Sequence, residues 1–500
     1  MKRVGLLDSA WLLLERLETP MHVGILLRFS SPDDAPPDYV QQVVMALRAS
    51  TSAESPWDLI LPAQKLRGLI PIWLHECYLD MEHHVRLHRL KRAGADQPFD
   101  ELSRRLAELH GEPLDRSRPL WECHVFEGLP NREFALYMKV HHAVLDGVGG
   151  LRLMQSLLAH SPEQRNQPAP WSPHSDERQT RARRVARLRP KRVGPLPAVG
   201  EDENRLAQRH GVMPYLGQAA REIARSAIGH ADQLMTPYRA PASPFNQPIT
   251  ARRAYAQARC EMARIKRLAQ LAEVSTNDVV LAACAGALQR LLEDMDARGA
   301  PLTAAMPVST RPRHGQPHGS SLGFCLANLG TDIADPRTRL KAIHASTQRG
   351  KAHLGRLPRA ALLPYTATLM LPFIAEQLSR YRGRLRPMFN LVISNVPGPK
   401  MPLYLEGARL KSVYPSSVLF HGQALNITCI RYLDEFSFGF TACPDVVPGL
   451  ELMPQYTQTA LEELEAKLSF PHHAANVRRA EPAPPIPIAA ASAPCLPALN

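Results

Sequence analysis

Residues 134–147 read FALYMKVHHAVLDG, and the pattern of this stretch predicts how the chain folds around it. From Phe134 to Val140 every second residue is large and apolar, which is the two-residue period of a β-strand. Glycines at 147, 149 and 150 then interrupt the strand, and apolar residues at helical spacing follow from 151 to 158. The sequence therefore predicts that His141 and His142 lie at the end of a strand, before a glycine-rich turn and a helix.

This histidine pair is suited to acid–base chemistry on a hydroxyl group. A hydroxyl is a poor nucleophile at neutral pH, and a base that removes its proton typically speeds the reaction ~10²–10⁴-fold. Successive side chains of a strand point to opposite faces, so one histidine can face a substrate while the other packs or hydrogen bonds. Asp146 can brace the turn, and Gly147 permits a close backbone approach. The alternative is a hydrogen-bonded histidine pair beside an ordinary Asp-Gly turn.

The chain of 500 residues is too long for one ordinary hydrophobic core and predicts two domains with linkers. Residues 161–200 are rich in Pro, Arg, Gln and Ser, an amphipathic helix lies within 213–235, and the end of the chain is rich in Ala and Pro. We therefore place a first globular unit at 1–160, a linker at 161–250, a second globular unit at 251–470 and a disordered tail at 471–500. Both units read as α/β mixtures.

Local patterns in the second unit predict individual elements. Ser275 and Asp278 form an S-x-x-D capping box, followed by a helix with one apolar side. Residues 389–393 read as a buried strand that is stopped by a Pro-Gly-Pro turn, and residues 426–442 read as a β-hairpin.

The pattern of charged and apolar residues limits which partners and which cellular compartment the sequence favours. The formal net charge is +13, and seven basic residues cluster between Arg181 and Arg192. A solvated linker is the first interpretation of this cluster, and an anionic membrane surface is the second. Nucleic acid is disfavoured because no recognition motif accompanies the charge.

No run approaches the ~20 apolar residues that span a bilayer, and Asp8 and Glu15 interrupt a signal-like N-terminus. We expect a cytoplasmic protein without disulfides, since the eight cysteines are scattered.

Six further blocks, taken with the double histidine, resemble the wax ester synthase/diacylglycerol acyltransferase family of the CoA-dependent acyltransferase superfamily. The resemblance covers about residues 4–470, and the blocks occur in the family's order. They are residues 7–15 (LDSAWLLLE), 20–24 (PMHVG), Pro119-Leu120-Trp121, 276–280 (TNDVV), 306–311 (MPVSTR) and 394–399 (SNVPGP), around the motif H-H-x-x-x-D-G at 141–147.

The resemblance implies an α/β fold of two chloramphenicol-acetyltransferase-like subdomains with a tunnel between them. It implies acyl-CoA as donor, and a long-chain fatty alcohol or diacylglycerol as acceptor, with no separate cofactor and no metal. The second histidine of the motif is the base, which assigns that role to His142. His141, Asp146 and Gly147 then support it, and Arg311 is the candidate partner of Asp146. Attachment to the periphery of a membrane or to a lipid-droplet surface is expected, because the acceptors are apolar.

The roles of the other blocks stay open at this stage. Asn277 or a backbone N–H is a candidate for holding the oxyanion, but helix capping explains Asn277 and Asp278 equally well. Pro119, Leu120 and Trp121 are predicted to border the substrate tunnel, although a structural role is favoured over direct chemistry. Relatives often carry Gly-Asn where this chain has Gly323-Phe324. We expect Phe324 and Gly398 to border the acceptor side of the tunnel.

Four rival interpretations carry less weight. Residues 319–323 (GSSLG) fit the G-x-S-x-G elbow of serine hydrolases, but a loop precedes them where a strand is required. His141 and Asp146 also fit the H-x-x-x-x-D pattern of glycerolipid acyltransferases, without that family's other blocks. Histidines at 75, 83, 84 and 88 with Cys77 suggest a metal site, yet residues 82–90 read better as a strand. An inactive relative that binds lipid is disfavoured by the intact motif.

Overall fold

The computed structural model describes residues 2–62, 72–76, 78–90, 98–145, 158–169, 171–172, 216–221, 224, 237–299, 301–309 and 322–469. These residues form two halves, each built on a six-stranded sheet and covered by helices. The predicted α/β class with two halves is confirmed.

In the first half, helices and strands alternate irregularly along the chain. Its helices are α1 (Leu6–Leu14), α2 (Tyr39–Arg48), α3 (Met81–His84) and α4 (Pro98–Gly111), and its strands are β1 (Lys2–Arg3), β2 (His22–Ser30), β3 (Leu59–Ile60), β4 (Ile72–His75), β5 (Val85–Arg89), β6 (Trp121–Glu127) and β7 (Glu133–His141).

The second half contains the longer helices. Its helices are α5 (Met262–Leu271), α6 (Thr276–Asp294), α7 (Pro336–Gly355), α8 (Arg359–Leu378) and α9 (Met453–Ser469), and its strands are β8 (Ala254–Glu261), β9 (Thr303–Ser309), β10 (Leu322–Asn328), β11 (Leu391–Val396), β12 (Tyr404–Leu405), β13 (Ala408–Ser416), β14 (Leu425–Tyr432) and β15 (Glu435–Ala442).

The first sheet has the strand order β12-β13-β2-β7-β6-β5, and β1, β4 and β3 form a small separate sheet. Strands β12 and β13 lie within the predicted second unit, 251–470, but β13 pairs antiparallel with β2 of the first half, with Val413 opposite Leu27. The chain therefore returns from the second half to complete the first sheet, which corrects the simple division of the two units at 161–250.

The second sheet has the order β10-β9-β11-β14-β15-β8, in which β11 is parallel to both of its neighbours. The two sheets approach each other where β13 passes β15. A Cβ atom at Gly439 would lie 1.8 Å from the carbonyl oxygen of Pro415, so only glycine permits this approach. The completed first sheet is thus packed directly against the second.

Several predicted elements are confirmed, and others shift. The strand at 134–140 is β7, and His141 is its last residue. The hairpin at 426–442 is β14 and β15, whereas the strand expected from residue 389 begins at Leu391. The single strand expected at 82–90 is wrong, because α3 occupies Met81–His84 before β5 begins.

Some sequence predictions lie outside the described residues. These are the basic cluster at 181–192, the tail at 471–500 and most of the amphipathic helix at 213–235, of which 216–221 and 224 are helical. Within the described ranges no single helix is long and apolar enough to cross a membrane, although α5 and α6, bent by 101°, meet that test as a pair.

Candidate active site

The end of β7 holds the predicted base in a turn that is anchored from two sides. The backbone N–H of His141 donates to the carbonyl of Leu120 at 3.0 Å, and that of His142 donates to the carbonyl of Met21 at 2.8 Å. The carbonyl of His141 accepts from Val144 at 2.9 Å, which closes the turn. The position of the His142 backbone is therefore fixed by the residues that precede β2 and β6.

The ring of His142 stacks on the indole of Trp11 in α1. Their ring centroids lie 4.0 Å apart with an interplanar angle of 15°. Trp11 also contacts Phe420, whose ring centroid lies 6.0 Å away, in the loop between β13 and β14. The stack fixes the plane of the imidazole, and it places the electron-rich face of an indole where a positive charge would form on protonation.

Glu15 organises the residues around His142 from below. Its Oε1 atom lies 3.4 Å from Nε2 of His141 and accepts the backbone N–H of Met21 at 3.2 Å. Its Oε2 atom accepts from Nε of Arg116 at 2.7 Å. Nδ1 of His141 accepts the N–H of Ala143 at 3.0 Å, so the proton of this imidazole resides on Nε2 and faces Glu15. One buried carboxylate thus supports both the first histidine and the segment that anchors the second.

Glu15 is ionised at neutral pH. Burial alone would raise the pKa of this carboxyl, but the polar contact with Nε2 of His141 and the charge of Arg116 outweigh it and lower the pKa to about 2. A buried anion therefore lies next to the histidine pair.

Leu120 and Trp121 lie behind the histidine turn. The Leu120 side chain is buried, and its carbonyl holds the N–H of His141. The Trp121 indole is fully buried, donates to the carbonyl of Trp57 at 2.9 Å and stacks on His84 and Trp171. The block with Pro119 supports the turn, and its two large side chains face packed core clusters instead of an open channel.

Asp278 has a structural environment. It completes the predicted capping box with Ser275, and its carboxylate also accepts from Nδ1 of His344 at 2.8 Å and from the hydroxyl of Thr347 at 2.7 Å. Burial by itself raises the pKa of Asp278, but these hydrogen bonds outweigh it and lower the pKa. Asp278 fastens the start of α6 to α7, which favours capping over catalysis for this residue.

Asn277 is placed differently from its neighbour. Its Oδ1 atom accepts from Nδ2 of Asn395 at 3.2 Å, and its Nδ2 atom lies 4.0 Å from the sulfur of Met306. One residue from each of three family blocks, Asn277, Met306 and Asn395, therefore meets the others at the start of α6. A role for Asn277 in holding an oxyanion stays a prediction.

Replacing Asp278 with alanine is expected to lower the free energy of unfolding by at least ~1 kcal/mol, because it removes the buried acceptor of the hydrogen bonds from Ser275, His344 and Thr347. Activity of the protein that remains folded should be close to that of the wild type. Thermal melting and an activity assay on the same preparation test this. Asn277→Ala is the matched control for stability, since it leaves the capping box intact. Loss of activity at an unchanged melting temperature in Asp278→Ala would instead assign Asp278 to the chemistry.

Phe324 and Gly398 occupy different surroundings in the second half. Phe324, in β10, is half-buried and packs against the core, with its ring centroid 6.3 Å from that of Phe389. A Cβ atom at Gly398 would lie 1.5 Å from the carbonyl oxygen of Arg431, so glycine is required there for the turn to pack on β14. Gly398 thus has a packing role, and its place beside an acceptor tunnel stays a prediction.

Asp146, Gly147 and Arg311 lie outside the described residues, so the predicted Asp146–Arg311 pair stays a prediction.

The described part of the chain holds no group of three or more His, Cys, Asp or Glu side chains arranged for a metal ion. His75 pairs with Asp58, and His84 bonds to the backbone of Trp121. A serine-hydrolase elbow requires a helix after the serine, but the strand β10 begins at Leu322.

Two residues of the site received no role from the sequence. Trp11 and Glu15 lie in the first family block, but their partners, His142, His141 and Arg116, are more than 100 residues away in the chain. The available signal was a carboxylate directly after the apolar run at 11–14 (WLLL), which suggests a buried charge that needs a partner.

The fold and the histidine turn define the class of protein. The structure resembles that of the first condensation domain of the calcium-dependent antibiotic synthetase, with a TM-score of 0.52 and 16% identity over 93% of this chain and 96% of that one. The chain therefore has the two-subdomain, chloramphenicol-acetyltransferase-like fold.

Sequence comparison narrows this class to one family. The model of the wax ester synthase/diacylglycerol acyltransferase catalytic domain matches residues 5–280, and that of the family's C-terminal domain matches residues 318–465. A putative diacylglycerol O-acyltransferase of Mycobacterium tuberculosis is 36% identical over 92% of this chain and 98% of its own length. The structure of the wax ester synthase/diacylglycerol acyltransferase from Marinobacter aquaeolei VT8 matches with a TM-score of 0.73 and 32% identity, over 94% of this chain and 100% of that one. The chain belongs to this family and is an O-acyltransferase.

Proposed function

We propose that this enzyme transfers a long-chain acyl group from acyl-CoA to the hydroxyl of diacylglycerol or of a long-chain fatty alcohol. The products are a triacylglycerol or a wax ester and free CoA. The observation that carries the proposal is the His142 turn, stacked on Trp11 and backed by the buried carboxylate of Glu15. No further cofactor is needed for this reaction.

His142 is the base in the proposed reaction. The acceptor hydroxyl lies against its imidazole, and the oxygen attacks the thioester carbonyl as the proton passes to the ring. The tetrahedral oxyanion then collapses, the carbon–sulfur bond breaks, and the CoA thiolate leaves with the proton returned from His142. The acyl group moves directly to the acceptor, so no acyl-enzyme forms.

Trp11 favours the proton-transfer step. The imidazole becomes a cation when it accepts the hydroxyl proton, and an indole face within about 6 Å stabilises a cation by roughly 0.5–2 kcal/mol. The centroid separation of 4.0 Å satisfies this condition. The stack is therefore worth more in the transition state than in the resting enzyme.

An unbroken series of aromatic rings joins the base to Phe324. From His142 the ring centroids are separated by 4.0 Å to Trp11, 6.0 Å to Phe420, 5.3 Å to Phe373, 6.3 Å to Phe389 and 6.3 Å to Phe324. Phe373, Phe389 and Phe420 are buried in the core of the second half, so the series connects Phe324 to the base through packed side chains. An apolar acceptor suits apolar surroundings of this kind, whereas the phosphates of CoA require basic residues, and on this ground we keep Phe324 on the acceptor side.

Shrinking Phe324 to alanine should alter the preference among acceptor alcohols more than the preference among acyl-CoA chain lengths. A few methylenes in an apolar site discriminate by only ~1–3 kcal/mol, so the shift should be modest. Relative kcat/KM values over both substrate panels measure it. Phe324→Leu, which keeps an apolar side chain, is the control and should shift the profile less. A change confined to acyl-chain selectivity would contradict this placement.

Apolar acceptors partition into lipid, so we also place the enzyme on the cytoplasmic side, at the periphery of a membrane or a lipid-droplet surface. The test of the proposed reaction is one assay with purified protein, long-chain acyl-CoA and a panel of acceptors, in which thiol release is followed together with product esters. Acceptor-dependent thiol release and ester formation support the proposal. Lipid binding without either product would show a binding protein instead.

A further inference from the structure

One surface of the molecule combines exposed apolar side chains from two distant parts of the sequence. They lie on α1, on α8 and on the segments that follow these helices, and each is between 39% and 64% exposed. They are Leu13, Leu17, Leu371, Leu378, Tyr381 and Leu385.

The two helices are neighbours, because both pack on the loop between β13 and β14. Trp11 of α1 and Phe373 of α8 contact Phe420, with ring centroids at 6.0 and 5.3 Å. The side chain of Gln377 donates to the carbonyl of His421 at 2.9 Å. Burial lowers the pKa of His421, the charges of Arg382 and Arg16 lower it further, and the charge of Glu18 opposes them, so the segments after both helices lie near this ring.

The same surface is basic. Residues 377–390 include Arg380, Arg382, Arg384 and Arg386, and the acidic residue that precedes them, Glu376, is buried and accepts the backbone N–H of Leu385. Among the described residues none of these arginines forms an ion pair with a carboxylate. Arg380 lies 5.0 Å from the centroid of the Tyr381 ring, which joins the basic and apolar parts of the surface.

We propose that this α1–α8 surface docks the enzyme on an anionic phospholipid surface, with its leucines in the interface and its arginines among the headgroups. The inference rests on the proposed function, which requires apolar acceptors to reach His142 from lipid. Apolar area with neighbouring basic charge is the combination that binds such interfaces. The inner face of α1 carries Trp11 against His142, so docking here brings the lipid next to the base.

Vesicle flotation tests the docking surface with the full chain. The vesicles are phosphatidylcholine with phosphatidylglycerol, and pure phosphatidylcholine is the neutral comparison. One variant carries Arg380→Gln, Arg382→Gln, Arg384→Gln and Arg386→Gln, and a second carries Leu13→Ser, Leu371→Ser and Leu385→Ser. The first should bind anionic vesicles at least ~10²-fold more weakly, since each basic residue near the lipid contributes about 1 kcal/mol. The second should lose binding even at low salt.

Matched controls remove the same groups from other faces. The charge control replaces the exposed Arg104, Arg105, Arg259 and Arg298 with Gln, and the apolar control is Met45→Ser with Leu271→Ser. Both controls should bind vesicles as the wild type does, and every variant should keep the wild-type melting temperature. Equal loss in the controls would overturn the proposal. Normal vesicle binding of both α1–α8 variants would also overturn the proposal. Attachment would then depend on another part of the chain, such as residues 181–192, or the α1–α8 surface would instead join two copies of the chain.

Activity distinguishes this inference from the proposed reaction. With short-chain acyl-CoA and a water-soluble alcohol, in the absence of vesicles, the α1–α8 variants should release thiol at the wild-type rate. With vesicle-embedded acceptors they should be slower by the factor by which binding is reduced. A wild-type enzyme that releases no thiol from either substrate pair refutes the proposed reaction. Wild-type rates of the variants on embedded acceptors refute the docking surface alone.

Discussion

Turnover of His142→Ala is expected to be at least ~10²-fold lower than that of the wild type, with the protein still folded. The side chain is the proton acceptor, and the anchoring of this residue is through its backbone N–H to Met21, which alanine retains. The loss should therefore appear in kcat, whereas the melting temperature should change little. Steady-state thiol release and thermal melting of the same preparation measure the two quantities.

His75→Ala is a suitable control for this variant. His75 is half-exposed, lies in β4 and pairs with Asp58 and not with Trp11. Its removal should leave turnover unchanged. A folded His142→Ala enzyme with turnover within about tenfold of the wild type would remove the general-base mechanism, because this factor lies below the usual range for a base.

The parts of the fold that could be predicted from the sequence have their signals within a few residues. The alternation at 134–140 and the glycines after it predict a strand that ends at the histidine pair, and β7 ends at His141. The S-x-x-D pattern predicts a capping box because both partners lie in one turn of chain, and Ser275 and Asp278 form it.

The parts that could not be predicted depend on contacts between distant segments. Nothing local to residues 408–416 indicates that β13 leaves its own half to pair with β2, because a strand's pattern does not name its neighbour. Lys139 lies between two of the apolar positions of the alternation at 134–140, yet it is fully buried. It is accommodated because its ammonium donates to the carbonyl of Glu112 and lies 3.6 Å from the carboxylate of Glu122.

In the active site, too, local features could be predicted from the sequence and contacts between distant segments could not. The base could be assigned from the motif and its resemblance to a family, whereas the carboxylate behind it could not. Glu15 reaches Arg116 across 101 residues of sequence, and the family block that contains Glu15 gives no reason for its presence. The structure supplies that reason, since the carboxylate contacts His141 and the segment that anchors His142.

Glu15→Ala is expected to lower the free energy of unfolding by ~1–3 kcal/mol, because it removes a buried acceptor from the partly buried Arg116 guanidinium and from the backbone N–H of Met21. The Glu15 side chain is 5% exposed and Arg116 would lose its carboxylate. Turnover of the folded fraction should also fall by more than about tenfold, since Met21 and His141 both lose the group that orients them. Chemical denaturation and thiol release on one preparation give both values.

The pH dependence of the free energy of unfolding distinguishes the effect of the Glu15 charge from the effect of its side-chain size. The pKa of Glu15 is lowered to about 2 in the folded protein, against about 4.3 for an unfolded glutamate. Its stabilising contribution is therefore complete above about pH 4.3 and is lost as the pH falls towards 2. Glu15→Gln keeps the size and an acceptor for Met21, so it should be less stable than the wild type at pH 7 and approach it on acidification. Glu18→Gln, three residues away and without an ion pair to a described residue, is the control and should show no such convergence. A stability difference between Glu15→Gln and the wild type that stays constant from pH 7 to the acid range would show that the Glu15 charge does not stabilise the histidine turn.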